Sequence, residues 1–274
     1  MRTRFAPSPT GLLHLGHAYA VLCAWHEAQE GKGEFLVRIE DIDFTRCRPN
    51  FEEAIFEDLE WLGLKWPLPV WRQSERMTTY RDALDRLQRL GVVYPCFCTR
   101  QEMASIDAPQ GPEGPLYSGV CRGKSADERA ELLAAQKPFA LRLNVEKAKR
   151  LAGPVTWIDL DLGVVRATPE LLGDVVIARK DIMTSYHLAV TVDDAAQNIT
   201  VVTRGEDLLP STHVHRLLQA LLDLPVPVWR HHKLICDETG RRLAKRDDAR
   251  SLRSLRLEGC SRTDIARLIG QKLP

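Results

Sequence analysis

The sequence predicts an α/β protein built on a doubly wound parallel sheet of Rossmann-like type, interrupted by an inserted α+β subdomain. Three observations carry this prediction. The chain opens with a short strand around Arg2–Phe5, a Pro/Gly loop and an Ala/Leu-rich helix from about His17 to Glu30, which is the start of a βαβ unit. After the breaker GKGE, the run FLVRIED is continuously apolar and β-branched, as a buried parallel strand is, and FEEAIFEDLEWLGL follows it as a helix. The alternation of strand and helix lapses near Tyr94 and resumes near Val175.

The other elements follow in order. TTYRDALDRLQRLG places Tyr80, Leu84, Leu87 and Leu90 at helical spacing. From residue 94 to 166 the texture changes to a Cys-containing turn, the loop IDAPQGPEGP, a charged helix SADERAELLAAQK and the strand-like FALRLNV and LGVVRA. This stretch is the expected insertion, leaving 1–93 and 167–274 as the two halves of the main domain. VVIARKD, SYHLAVTVDD and ITVVTRGEDLL restore the alternation, and STHVHRLLQALLDL reads as a helix capped by Ser211. Near the end, Ser261 with Asp264 three positions on has the form of a capping box.

With 274 residues, 44% of them hydrophobic, the chain can bury a sizeable core. Its 38 basic and 37 acidic residues leave a net charge of +1, so no molecule-wide field draws a polyanion, and DNA is not an expected partner. The charge is uneven, however. Residues 241–274 hold ten Lys or Arg against four acids, which reads either as phosphate contact or as a solvated helix face. No apolar run approaches the roughly 20 residues that cross a bilayer, and the N-terminus lacks a signal-peptide core, so a cytoplasmic protein is expected. Of seven cysteines, Cys23, Cys47, Cys236 and Cys260 are scattered without framework spacing.

Two clusters carry chemistry. In PSPTGLLHLGH a strand feeds a helix, the place in an open α/β sheet where phosphates meet backbone N–H groups and the positive helix end. His14 and His17 stand there as possible donors, and Gly16 between them permits close approach of a ligand. In the insertion, Cys96-x-Cys98 and Tyr117-x3-Cys121 gather three thiols and a phenol in a small, loop-rich region where a metal could replace a missing core. Three cysteines alone do not close a tetrahedral site, and a reduced cluster of packing thiols is the alternative.

The run RFAPSPTGLLHLGH closely resembles the first signature of the glutamyl-tRNA synthetases, with HLGH in place of the class I tetrapeptide HIGH. The resemblance continues in FLVRIEDID, in VTRGEDLL and in RRLAKRDDARSL, the last at the position of the lysine-bearing signature KMSKS. It implies the class I synthetase fold and the activation of glutamate by ATP with Mg²⁺, an attack of a carboxylate on the α-phosphorus that needs positioning and charge neutralisation. His14, Gly16 and His17 would then bind ATP, and Lys245 would neutralise charge developing toward pyrophosphate. The first lysine of the family's loop is replaced by Arg242, which keeps charge but changes donor geometry. For glutamate, the resemblance implies that Arg4, Phe5, Ala6, Pro7 and Ser8 line the substrate and that Glu40 meets the ammonium. Arg204 would hold a carboxylate and Tyr186 would add a hydroxyl. Arg38, Asp41 and Asp43 read instead as structural ion pairs.

CFCT followed by YSGVCRG resembles the short glutamyl-Q branch of this family, whose zinc is held by Cys, Cys, Tyr and Cys. Carried over, the ligands are Cys96, Cys98, Tyr117 and Cys121. The chain ends 29 residues after Lys245, whereas ordinary glutamyl-tRNA synthetases continue into anticodon-reading helices. The short branch places glutamate on the queuosine base in the anticodon of tRNA(Asp), and that is the implied partner. A compact synthetase charging a tRNA 3′ end and a non-catalytic zinc- and RNA-binding paralogue are the alternatives. The basic tail with aromatics such as Trp229 is the candidate RNA contact, although Trp229 reads equally as core.

Overall fold

The structure, a computed structural model, describes residues 1–104, 108–235 and 250–274. Its first part runs β1 (Arg2–Phe5), α1 (Leu15–Glu30), β2 (Glu34–Ile39), α2 (Pro49–Trp61), β3 (Trp71–Arg72) and α3 (Met77–Arg89). The three strands are parallel, with Arg2 opposite Glu34 and Arg38 opposite Trp71. Helix α2 begins on Pro49, whose missing N–H costs nothing in a first turn. On α3, Tyr80, Leu84 and Leu87 are buried as their spacing predicts, while Leu90, just past the helix, is exposed.

The middle of the chain runs β4 (Val93–Cys96), α4 (Arg100–Ala104), β5 (Gln110–Gly111), β6 (Gly114–Pro115), α5 (Ala126–Ala134), β7 (Ala140–Leu143) and α6 (Val145–Ala152). Then follow β8 (Thr156–Asp159), β9 (Gly163–Arg166), β10 (Val176–Ala178), α7 (Tyr186–Ala196), β11 (Val201–Gly205), α8 (Leu209–Leu221), β12 (Val228–His232), α9 (Leu252–Leu257) and α10 (Arg262–Ile269). Sheet pairing cuts across the expected 94–166 boundary. Strands β8 and β9 form a hairpin that joins β12, whereas β10, beyond residue 166, completes an antiparallel sheet in the order β10-β7-β4.

Strands β11 and β12 are parallel, with Val201 opposite Val228, and β11 lies along β1. There Thr200 N–H donates to Arg2 O at 2.9 Å, Arg2 N–H donates to Thr200 Oγ1 at 2.7 Å, and Arg4 Nη1 reaches Thr203 O at 3.3 Å. The first and last parts of the chain thus meet at β1 and β11.

Three local readings are corrected. Ser211 does not cap α8: the helix begins at Leu209, Pro210 occupies its first turn, and Ser211 lies buried inside it, donating to Glu113 Oε1 at 2.6 Å. Helix α6 follows directly on the strand-like FALRLNV, with Asn144 as its cap accepting from Lys147 N–H, and was not anticipated. Trp229 is 2% exposed and packs edge-on to Trp157, so it belongs to the core and not to an RNA-facing surface. The capping box of Ser261 and Asp264 on α10 is present as expected.

Two main cores result. One gathers α1, α2, α9 and α10 on β1 and β2, and the other packs α3, α6, α7 and α8 with β7. Between them runs a buried charge network. Asp193 and Asp194 are adjacent on α7 and so point about 100° apart. Asp193 accepts from Tyr80 Oη at 2.7 Å, Arg76 Nε at 2.7 Å and Gln73 Nε2 at 3.1 Å. Asp194 faces the sheet, accepting two bonds from Arg4 at 3.0 and 3.2 Å and pairing with Arg38 at 2.9 Å. Among the described residues no helix is long and apolar enough to cross a membrane.

Removing one member of a buried ion network strands the others. Asp193→Ala is therefore expected to lower stability by about 3 to 5 kcal/mol, read from the midpoint of urea unfolding; a loss within error of zero would mean that Arg38 and Arg76 are satisfied without it.

Candidate active site

Loops at the ends of β1, β2 and β11 converge with the first turns of α1 and α7 on one cavity of about 770 Å³. Its lining includes Arg4, Phe5, Ala6, Pro7, Ser8, His14, His17, Glu40, Tyr186 and Arg204. The structure therefore brings together, from four separate stretches of sequence, the residues expected around glutamate and the two expected histidines. Lys245 and Arg242 lie outside the described residues. Gly16 sits one residue before His17, its N–H donating to His14 Nδ1 at 3.1 Å.

The histidines form a capping box of their own. His14 is the N-cap of α1 and accepts from Gly16, while its own N–H donates to His17 Nδ1 at 3.2 Å. With Nδ1 accepting in both rings, the proton of each neutral imidazole sits on Nε2. The helix N-terminus beneath them adds a positive dipole end, so this side of the cavity suits an anion. Ser251, just before α9, pairs with His14 in an isolated bridge, and Leu252 N–H donates to Leu13 O at 2.8 Å.

The two arginines of the cavity differ in kind. Arg4 is bidentate with Asp194. Arg204, 6% exposed, makes no ion pair among the described residues. Its Nη1 donates to Tyr186 Oη at 3.2 Å and to His215 Nδ1 at 3.4 Å, its Nε points to His231 Nε2 at 3.4 Å, and its Nη2 donates to Thr212 Oγ1. All of these partners are neutral. Burial pushes the Arg204 guanidinium below its ordinary pKa, Arg4 adds to this, and Tyr186 and the more distant Asp194 offset it only in part. Because Tyr186 accepts from Arg204, its own proton remains available to a second acceptor, and burial raises its pKa.

Across the cavity, Glu40 accepts from Arg38 Nη2 at 3.2 Å, and its backbone N–H donates to Pro7 O at 3.0 Å, which ties the β2 end to the first loop. Burial raises the Glu40 carboxyl, and Arg38 and Arg4 pull it down. Burial alone would raise Asp194 as well, yet Arg4 and Arg38 hold it below the ordinary carboxylate value. A cavity with an uncompensated cation on one wall and a carboxylate on the other is shaped electrically for a zwitterion. Arg38 is fully buried among Asp193, Asp194 and Glu40, and Asp43 binds Thr45, Arg46 and Arg179, so both act as structural pairs. Asp41 accepts from Ser74 Oγ at 2.6 Å and is structural too.

The thiol cluster is also assembled. The sulfurs of Cys96, Cys98 and Cys121 lie within 4.8 Å of one another, with Cys98 and Cys121 at 3.5 Å. Tyr117 Oη is 3.4 Å from Cys96 Sγ and 3.5 Å from Cys98 Sγ. A tetrahedral zinc with Zn–S bonds of about 2.3 Å separates its sulfurs by about 3.8 Å, so these four donors fit one ion with small adjustment. The core around them is small, with Tyr94, Phe97, Cys96 and Cys121 buried and Leu132 and Phe139 packed against them.

Local spacing did not point to Thr212, His215 and His231 around Arg204. Thr212 and His215 are three apart and share a helix face, which is the available signal, but their partner is in another element. Burial and the nearby Arg204 depress His187 and His231 to about 4. The unfolded chain, with histidines near 6.5, takes up protons that the folded protein refuses, so this contribution to stability is full above about pH 6.5 and is lost as pH falls toward 4. Thermal melts should show Tm declining across that window; a Tm that held level would mean these imidazoles are not buried in neutral form.

Comparison with known proteins agrees with this geometry. Residues 1–270 match the family described as tRNA synthetases class I (E and Q), catalytic domain. The glutamyl-Q tRNA(Asp) synthetase of Rhodobacter capsulatus is 49% identical, covering 98% of this chain and 100% of its own. The glutamate–tRNA ligase of Aquifex aeolicus is 40% identical over 94% of this chain, which spans only 54% of that ligase. The crystal structure of a glutamate tRNA ligase from Elizabethkingia meningosepticum in complex with its amino acid superposes with a TM-score of 0.74 at 30% identity, over 95% of this chain and 53% of that one. This chain belongs to the class I tRNA synthetase (E and Q) catalytic-domain family and is a ligase of the aminoacyl-tRNA synthetase type.

Proposed function

We propose that the protein activates L-glutamate with ATP and transfers it to the queuosine base in the anticodon of tRNA(Asp). The observation that carries the reading is the cavity itself, in which an uncompensated Arg204, the Glu40 carboxylate and the histidine-capped helix end meet. The relatives that carry the glutamyl-Q name, four of them at 40 to 49% identity over nearly the whole chain, support the choice of acceptor.

In this reading Arg204 and the Tyr186 hydroxyl hold a carboxylate of glutamate, and Glu40 takes the ammonium. Arg4 with Phe5, Ala6, Pro7 and Ser8 forms the remaining wall. His14 and His17 face the triphosphate at the positive end of α1, and Gly16 between them lets it approach closely, with Mg²⁺ carried in by ATP. A carboxylate oxygen of glutamate attacks the α-phosphorus, the bond to the bridging oxygen breaks, and pyrophosphate leaves with the electron pair. Lys245 is assigned the charge that develops there. An acceptor hydroxyl then attacks the acyl carbon, releasing AMP. The residues do this by orientation and charge, with no covalent enzyme intermediate.

The part of the insertion built on the β10-β7-β4 sheet is assigned as a zinc-bearing unit. Cys96, Cys98, Tyr117 and Cys121 would hold the ion, which supplies cross-linking where the local core is small. Purified protein is expected to carry about one zinc per chain by elemental analysis, and a chelator that strips it should lower Tm; a folded, metal-free chain with unchanged Tm would remove the site.

The function is tested by amino-acid-dependent ATP–pyrophosphate exchange without tRNA, followed by transfer of labelled glutamate. Glutamate alone should support exchange, and label should pass to queuosine-containing tRNA(Asp) but not to the unmodified tRNA. Transfer to the 3′ end of tRNA(Glu) would instead make the protein a compact ordinary synthetase, and no exchange with any amino acid would end the enzymatic reading of this cavity.

A further inference from the structure

Behind Arg204 lies a shell of side chains whose hydrogen-bond polarities can be assigned one by one. A guanidinium only donates, so every atom it touches is an acceptor. Thr212 Oγ1 accepts from Arg204 Nη2 and has its own proton to give to His231 Nε2, 2.8 Å away. His231 therefore carries its proton on Nδ1 and donates it to Asp159 Oδ2 at 2.6 Å. His215 accepts from Arg204 at Nδ1, carries its proton on Nε2, and donates it to His187 Nδ1 at 3.2 Å. The chain of bonds is consistent only if all three imidazoles are neutral. Asp159, the carboxylate of this shell, stands on the far side of His231 and is engaged by the N–H groups of Asp161 and Leu162 at 3.0 and 3.2 Å.

The contrast with the rest of the molecule gives this arrangement meaning. Arg4 and Arg38 are fixed by carboxylates, Asp194 and Glu40. Arg204 is held instead by four side chains, Tyr186, Thr212, His215 and His231, and none of them carries a negative charge. We propose that His215, supported by Thr212 and His231, is a positioning residue that fixes the Arg204 guanidinium through a neutral acceptor and so reserves its charge for the carboxylate of the substrate. An acid at the same position would hold Arg204 equally well and occupy it. This inference rests on the reading of Arg204 as the residue that holds a glutamate carboxylate.

The test compares wild type with His215→Leu, His215→Gln and His215→Glu in glutamate-dependent ATP–pyrophosphate exchange, with a thermal melt of each. His215→Glu is expected to raise the KM for glutamate about 100-fold while kcat stays within about threefold, because ground-state and transition-state binding are weakened alike. His215→Leu should raise KM about tenfold, and His215→Gln, which keeps a neutral acceptor, should recover most of that loss even if its Tm is no higher. A merely structural role moves Tm and leaves this split in KM absent. Unchanged KM in His215→Glu overturns the inference. If that variant does not fold, His215→Gln performing no better than His215→Leu overturns it. Wild type that shows no exchange with glutamate sinks the functional reading first, and the inference with it.

Discussion

Two adjacent carboxylates on α7, Asp193 and Asp194, are the constraint on which the rest of the structure depends. Charges this deep are costly unless paired, and here each acid takes a different partner set because consecutive helical residues face different ways. Asp193 gathers Tyr80, Gln73 and Arg76 from α3 and the turn before it, while Asp194 gathers Arg4 and Arg38 from β1 and β2. Burial alone would lower the pKa of Arg38, yet its acids raise it, so the network stays charged. One helix thereby fixes the spacing between the sheet and α3. Its first residue, Tyr186, is carried into the substrate cavity as a consequence.

The same network explains why one arginine in the cavity can be free to act. Three arginines and three acids, Arg4, Arg38 and Arg76 with Glu40, Asp193 and Asp194, answer one another between the two cores. Arg204 comes from β11 and is turned toward α8 and β12, where its neighbours are hydroxyls and imidazoles. The cavity thus inherits a positive wall from what this second group of residues lacks, and a negative one from Glu40, which is among its lining residues. The two signs of charge on its walls follow from where compensation stops.

Much of this was legible in the sequence, and the limits have physical causes. Strands β1, β2 and β11 and helices α1, α2, α3 and α10 have strong local signals, either continuous β-branched runs, helical spacing or a capping box. Strand β12 was not legible because VWRHH reads as polar. Its His231 is buried only because Asp159, 72 positions earlier, accepts its proton. The start of α8 was misplaced because Ser211 has the form of a cap, while Pro210 at the first turn marks the true start. Motif resemblance found the residues that line the cavity, since they cluster in short loops. It did not find what tells Arg4 from Arg204, because Asp194 is 190 positions from Arg4 and local spacing is blind to such pairs.

The basic C-terminal stretch shows the same lesson at the surface. Ten cations against four acids reads as an RNA contact or a solvated face, and the described part of it spends much of its charge within the protein. Arg253 and Arg256 pair with Glu57 on α2, Arg256 approaches Asp58, Arg250 pairs with Glu258, and Arg267 pairs with Asp264. Beneath these pairs Leu252 and Leu255 enter the core around α1, and Ser251 pairs with His14. Exposed pairs contribute little to stability singly, so the apolar residues hold α9 in place and the arginines set its orientation on α2. The segment that bears Lys245 is therefore followed, six residues on, by a point anchored to the histidine-capped end of α1. Among the described residues of this stretch, Arg250, Arg253, Arg256 and Arg267 thus have acid partners within the protein, and the chain at Ser251 is tied to the histidine-capped end of α1.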